Sequence, residues 1–392
     1  MTQPLRIGLL RLVDSAPVIV AEAAGLFRAH GLDVRISIEP SWANIADKLA
    51  YGVLDAAVML PPLALAASAG LRGMKARLLV PMSLSQGGNA ITVRTDIAHA
   101  LTSPAAPQRI RLLEWLHAQP DPPHPASDHP TPAHLAPAHP APAHSTPPRF
   151  AVVHTFSTHN LLLRYWLASS GADPDRDIET VVIPPEQVGH ALAAGEIAGF
   201  CAGAPWGDAA ERAGTGQVLL GTSAIWPFHP EKCLCVNEPW AEANPETLRR
   251  LLQALLRAQM RCDQPEQADA IAGLLADPGG LALPRDSART VLPGGTGTER
   301  IRFHARAAWF PARAHAAWFI GQMQRWGWMP ADLDADALVR QVYRPDLLAP
   351  ALEAQGLYRA DALPALEGSV LLPTPEQDPS PSDPLRPRHG RT

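Results

Sequence analysis

The 392-residue chain contains no run of about 18 or more uninterrupted apolar residues, so no membrane-spanning helix is expected. Its opening, MTQPLRIGLLRLVDSAP, lacks a basic segment followed by an apolar stretch and a cleavage site, and passes straight into a strand-like LRIGLLRL. A cytoplasmic location is therefore the expectation. A net charge of −5 leaves no basic face for DNA or RNA, so any bound anion must be held by a local cluster. Cysteine is scarce, and its four copies (Cys201, Cys233, Cys235 and Cys262) suit a reducing compartment. Cys233 and Cys235 form a C-x-C, but no second C-x-C and no nearby His/Cys pair completes a tetrahedral metal site. Alternation along a strand puts both on one buried face, which favours core packing. The familiar enzyme templates are missing too: no G-x-S-x-G, H-E-x-x-H, Walker loop or G-x-G-x-x-G follows a strand. His154 and His159 have no nucleophile beside them in the sequence, so no catalytic role and no cofactor is expected.

What the chain does contain, 46% hydrophobic and 18% charged residues, suits a globular protein of about two domains with ample core. RIGLLRL, APVIVAEAAGLFRAHG, LDVRISIE, SWANIADKLAYG, DAAVML, PPLALAASAG and KARLLVPMS alternate strand and helix. Gly31, Gly52 and Gly70 fall just past the helical runs, where a left-handed cap is expected. From about Arg149 a second α/β block follows, with RFAVVH, STHNLLLRYWLASSG, ETVVIP, PEQVGHALAAGE and GFCAG, and then a return rich in helices. Repeated strand–helix–strand units imply open α/β sheets, the second block being inserted in the first. The expected division is 1–100 for the first part of lobe 1, 101–148 for an insert, 149–220 for lobe 2 and 221–372 for the return, with a disordered tail from 373. The insert carries a Pro/Ala/His repeat whose His124, His129, His134, His139 and His144 recur every five residues. Such a composition cannot pack a core and is expected to be extended and disordered.

IWPFHPEKCLCV poses the chemical question. Lys232 stands where the chain enters an apolar strand, and if it points inward it needs an anion. Two helix starts offer donors, because unpaired N–H groups there attract anions. Ser41 is a candidate cap with Trp42 in the first turn, and Ser157 or Thr158 is a candidate cap with His159 following. Packing of Trp42 in the core and simple capping by His159 are the competing readings. Gly203 in FCAGAPW lets backbone approach a ligand closely or merely makes a turn. Gln86 and Asn89 flank the glycine pair of SQGGNAITV and supply amide chemistry.

Taken in order and spacing, DSAPVIVAEAAGLFRAHGLDV, SWANIADKLAYGVLDAAVML, THNLLLRYWLASSGADPDRDIETVVIPP, GFCAGAPW, IWPFHPEKCLCV, WAEANPETL and QMQRWGW resemble the nitrate-binding family. That family holds the nitrate and bicarbonate binding proteins of ABC importers and cytoplasmic nitrate sensors of the NasS type. The resemblance implies a type 2 periplasmic-binding-protein fold, with two α/β lobes joined by a hinge and the ligand in the cleft. It implies anion contacts from Trp42, His159, Gly203 and Lys232, and an amide contact placed at Asn89 with Gln86 as second choice. Bicarbonate-binding relatives carry an acid in place of this lysine, so HPEK favours nitrate, with nitrite as a second ligand. Without an export signal, a sensor that controls a NasT-type RNA-binding antiterminator is preferred to a transporter component. An enzyme on the same fold and a binder of a larger oxyanion such as a sulfonate follow as further alternatives.

Overall fold

The computed structural model describes residues 3–73, 75–102, 108–118, 147–356, 366–367 and 372. The five insert histidines and the expected tail lie outside these residues. The described residues form eleven strands in two sheets, numbered here along the chain.

The first sheet collects β1 (Leu5–Leu9), β2 (Val34–Ile38), β3 (Ala56–Met59) and β4 (Leu78–Gly87), and later β10 (Pro230–Asn237) and β11 (Ile301–Arg302). Its order is β11-β4-β10-β3-β1-β2. β1 runs parallel to β2 and β3, as helical crossovers demand, whereas β10 runs antiparallel to both β3 and β4. The helix-ending Gly31, Gly52 and Gly70 all take positive φ, as expected. β3 is buried at every position because both faces are covered: Ala57 and Met59 join one apolar cluster, Ala56 and Val58 the other. Cys233 and Cys235 likewise share one face of β10, opposite Leu234 and Val236.

The second sheet comprises β5 (Asn89–Arg94), β6 (Arg149–Val152), β7 (Glu179–Val182), β8 (Gly199–Gly203) and β9 (Gly216–Gly221), in the order β7-β6-β8-β5-β9. The chain crosses from the first sheet to the second at Gly87–Gly88. Both glycines are left-handed, with φ of +73° and +89°. A Cβ on Gly88 would overlap Ile301, and one on Gly87 would press on the Arg300 carbonyl, so only glycine fits this turn. Residues 89–94, expected in lobe 1, therefore pair in the second sheet. The chain comes back between β9 and β10, and Gly87 N donates to His229 O at 3.0 Å, so the two crossovers lie side by side.

Part of the expected insert is also structured. Gln108–His117 forms a helix whose Leu112 and Leu116 are buried, with Trp115 edge-on to Phe150 at 6.4 Å. The Pro/Ala/His repeat starts after it. In the return, the helix Arg313–Arg325 packs on the helix Pro61–Ala69, and its Trp318 meets Trp226 in a tilted contact with ring centroids 4.5 Å apart. Across the cleft, Val13 N donates to Ala204 O (3.1 Å), Arg72 reaches His154 (3.1 Å) and Arg11 pairs with Glu186 (3.4 Å).

Candidate functional site

Lys232 is one of only three lysines in the sequence, and it is fully buried in the central strand β10. Register shifts flank it on both sides, between Pro230 and Lys232 and between Lys232 and Cys233. Such irregularities re-aim side chains that strict alternation would send to opposite faces. Consecutive Glu231 and Lys232 consequently meet, and Lys232 Nζ donates to Glu231 Oε1. Asp14, from the turn Val13–Ser15 after β1, adds a second carboxylate 3.4 Å from the ammonium. Ser85 on β4 holds Asp14 through its hydroxyl. The anion required by the buried lysine is thus supplied within the chain, by two acids that the sequence analysis did not place there.

The remaining donors converge on the same spot. Ser41 caps the helix Trp42–Ala50 by accepting from Asn44 N at 3.2 Å, which orients Trp42 inward. The Trp42 ring lies 5.5 Å from Lys232 Nζ, and its buried Nε1 has no hydrogen-bond partner. Ser157, not Thr158 or His159, caps the helix Thr158–Ser169, accepting from Asn160 N at 3.1 Å. His159 is fully buried, and its Nε2 stands 3.3 Å from Glu231 Oε1 without hydrogen-bonding alignment. Asn89 begins β5 and donates through Nδ2 to Glu231 Oε2, while its Oδ1 has no partner. Gly203 pairs directly with Asn89, and a Cβ placed on it would touch Asn89 Oδ1 and Asp14 Oδ2, each at 3.4 Å. One glycine thereby borders groups from both lobes.

Electrostatics separate these groups. Burial works against the Lys232 charge, but Asp14 and Glu231 outweigh it and raise its pKa. Burial pushes Glu231 up to about 7 against the pull of Lys232, and Asp14 adds to the rise. Burial, reinforced by Lys232 and His229, holds His159 well below its ordinary value, so its imidazole is neutral and its approach to Glu231 is no ion pair. His229, whose Nε2 meets Thr222 Oγ1 at 2.7 Å, is lowered to about 4, again mainly by burial. The Thr222 hydroxyl also reaches Asn89 O at 3.0 Å, tying the return crossover to the site.

Of the six residues singled out from the sequence, Trp42, Asn89, His159, Gly203 and Lys232 come together. Gln86 does not. It lines a separate cavity of about 480 Å³ beside the glycine turn, with Phe228, Glu299 and Arg302. Strand alternation separates it from Ser85, which faces Asp14. His154 accepts from Phe156 N at 3.0 Å and meets Arg72, a structural role at the lobe contact.

Residues 1–276 match the NMT1-like family. The chain belongs to that family. It is 31% identical over 378 residues to the nitrate/nitrite binding protein NrtA of Synechococcus elongatus, covering 92% of this chain and 79% of that protein. It is 33% identical over 367 residues to the nitrate import ATP-binding protein NrtC of Synechocystis, covering 90% of this chain and 50% of that one. The chain thus spans about half the length of the import ATP-binding relatives, as it does of the bicarbonate transport ATP-binding protein CmpC of Synechococcus elongatus, 31% identical. The crystal structure of the periplasmic nitrate-binding protein NrtA from Synechocystis superposes with a TM-score of 0.78 at 26% identity, covering 92% and 91% of the two chains. Two mixed α/β sheets joined by paired crossovers are the two-lobe binding-protein fold that the resemblance implied.

Proposed function

We propose that this protein binds nitrate, and nitrite as a second ligand, in the cleft at Lys232, and acts as a sensor rather than as an enzyme. The observation that carries the reading is the convergence on one buried ammonium of Trp42 Nε1 and the His159 ring, from opposite lobes and with no hydrogen-bond partners, beside the Asn89 amide whose Nδ2 donates to Glu231. A planar, weakly basic monoanion asks for several modest donors around one full charge, and this set matches that demand. Gly203 contributes space beside Asn89. The nitrate/nitrite-binding relatives support the choice of ligand.

In this reading the protein works in the cytoplasm, and closure of the lobes on nitrate releases a NasT-type RNA-binding antiterminator. What favours it over a carrier is that the relatives include import ATP-binding proteins as well as binding proteins, so a region like this one also occurs outside a dedicated carrier. A carrier role in a nitrate ABC importer is the second reading, favoured by the superposition on periplasmic NrtA. Calorimetric titration with nitrate, nitrite and bicarbonate, beside Lys232→Ala, tests the ligand. Saturable nitrate binding lost in the variant is the expected result. Folded wild-type protein that binds bicarbonate alone, or none of the three, ends the nitrate reading. Partner capture with and without nitrate, together with cell fractionation, then separates sensor from carrier.

A further inference from the structure

Glu231 takes the place that an anion needs. Its Oε1 receives Lys232 Nζ and lies 3.3 Å from His159 Nε2; its Oε2 receives Asn89 Nδ2 and lies 3.7 Å from His229 Nδ1. Lys232, His159 and Asn89 are three of the residues assigned above to nitrate. A carboxylate offers two oxygens of one delocalised negative charge on a planar centre, as nitrite does and as nitrate does along each edge. Glu231 is therefore bound in this structure as an intramolecular oxyanion, fully buried among the donors of the site.

We propose that Glu231 is a built-in competitor for the anion site: nitrate gains Lys232, His159 and Asn89 only when the Glu231 carboxylate gives them up and takes one proton from solvent. This rests on the nitrate reading of the same cleft. The charge count requires the proton. Asp14 already faces Lys232, so an added nitrate beside an ionised Glu231 would set three anionic groups around one ammonium, with no other cation among the described groups of the cluster. The titratable groups that face Glu231 come from the surrounding elements: Lys232 and Cys233 from its own strand, Asp14 from the turn after β1, His159 from its helix, His229 from the return crossover and Cys201 from β8. The two histidines are held neutral and the Cys201 and Cys233 thiols are pushed up, chiefly by burial, which leaves the two carboxylates; of these Glu231, not Asp14, occupies the His159 and Asn89 groups that nitrate needs. Its own value of about 7 puts the exchange within reach of ordinary pH.

The sign follows from linkage. Below about 7 the carboxyl is already protonated and affinity is flat; above it, one obligatory proton weakens nitrate binding roughly tenfold per pH unit. The test is calorimetry of the full-length protein with nitrate across this range, in buffers of different ionisation enthalpy, for wild type and Glu231→Gln. The expected result is uptake of about one proton per nitrate by wild type above neutrality, and in the variant no uptake and an affinity independent of pH. Proton uptake that persists in Glu231→Gln assigns it to Asp14 or a histidine and overturns the proposal. So does wild-type affinity that ignores pH, a measurement that does not depend on the variant folding. Nitrate binding lost in a folded Glu231→Gln makes Glu231 a supporting residue instead of a competitor. No nitrate heat in either protein at any pH removes the nitrate reading, and this inference with it.

Discussion

Each lobe brings one helix start to the site, and the two are built alike. Ser41 and Ser157 each accept from the backbone N–H three residues on, and each first turn carries a heteroaromatic side chain turned inward, Trp42 one residue after its cap and His159 two after its own. They differ in what surrounds the ring and in what its nitrogens can do. Trp42 belongs to the large apolar cluster, and its indole N–H can only donate. His159 sits among polar groups, and its neutral imidazole donates from one nitrogen and accepts at the other. Lobe 1 thus contributes a fixed donor that is also part of the core. Lobe 2 contributes an adaptable one whose first duty is to the site.

Truncation sharpens this contrast most. Trp42→Ala leaves a cavity in the apolar cluster and is expected to cost about 3–5 kcal/mol of stability. His159→Ala opens a polar space that water can fill and should cost under about 2 kcal/mol. Urea unfolding of both variants measures the difference, and equal losses would break the comparison. Trp42→Phe keeps most of the ring and removes only the N–H. Nitrate affinity is expected to fall about tenfold with little change in melting, which calorimetry and thermal unfolding read together. The smallest effects concern the caps. Ser157 is fully buried and also donates to His154 O at 2.7 Å, whereas Ser41 is half-buried and makes only the capping bond. Ser157→Ala should therefore cost about 2 kcal/mol and Ser41→Ala about 0.5 kcal/mol, a ranking that denaturant midpoints check.

Both helix starts were legible because capping is local: a serine, an extended backbone and three following residues suffice. The same holds for the glycines that end helices at Gly31, Gly52 and Gly70. The lobe boundary was harder. Gly87 and Gly88 were noted as neighbours of two amides, but it is their clash-free left-handed turn that sends Asn89 into the second sheet and leaves Gln86 in the first. The helix Gln108–His117 was hidden by the proline-rich segment after it, although Leu112 and Leu116 stand at helical spacing.

By itself the sequence determined the alternation of strands and helices, both helix starts and the strand that carries Lys232, since each depends on residues close in the chain. Only the tertiary structure decided what Lys232 meets. Strict alternation would part Glu231 from Lys232, and nothing near Asp14 in the sequence points to either. Register shifts in β10 and the packing of the first turn of lobe 1 bring the two acids to the ammonium. A buried charge requires a partner, but only the folded chain selects which group supplies it.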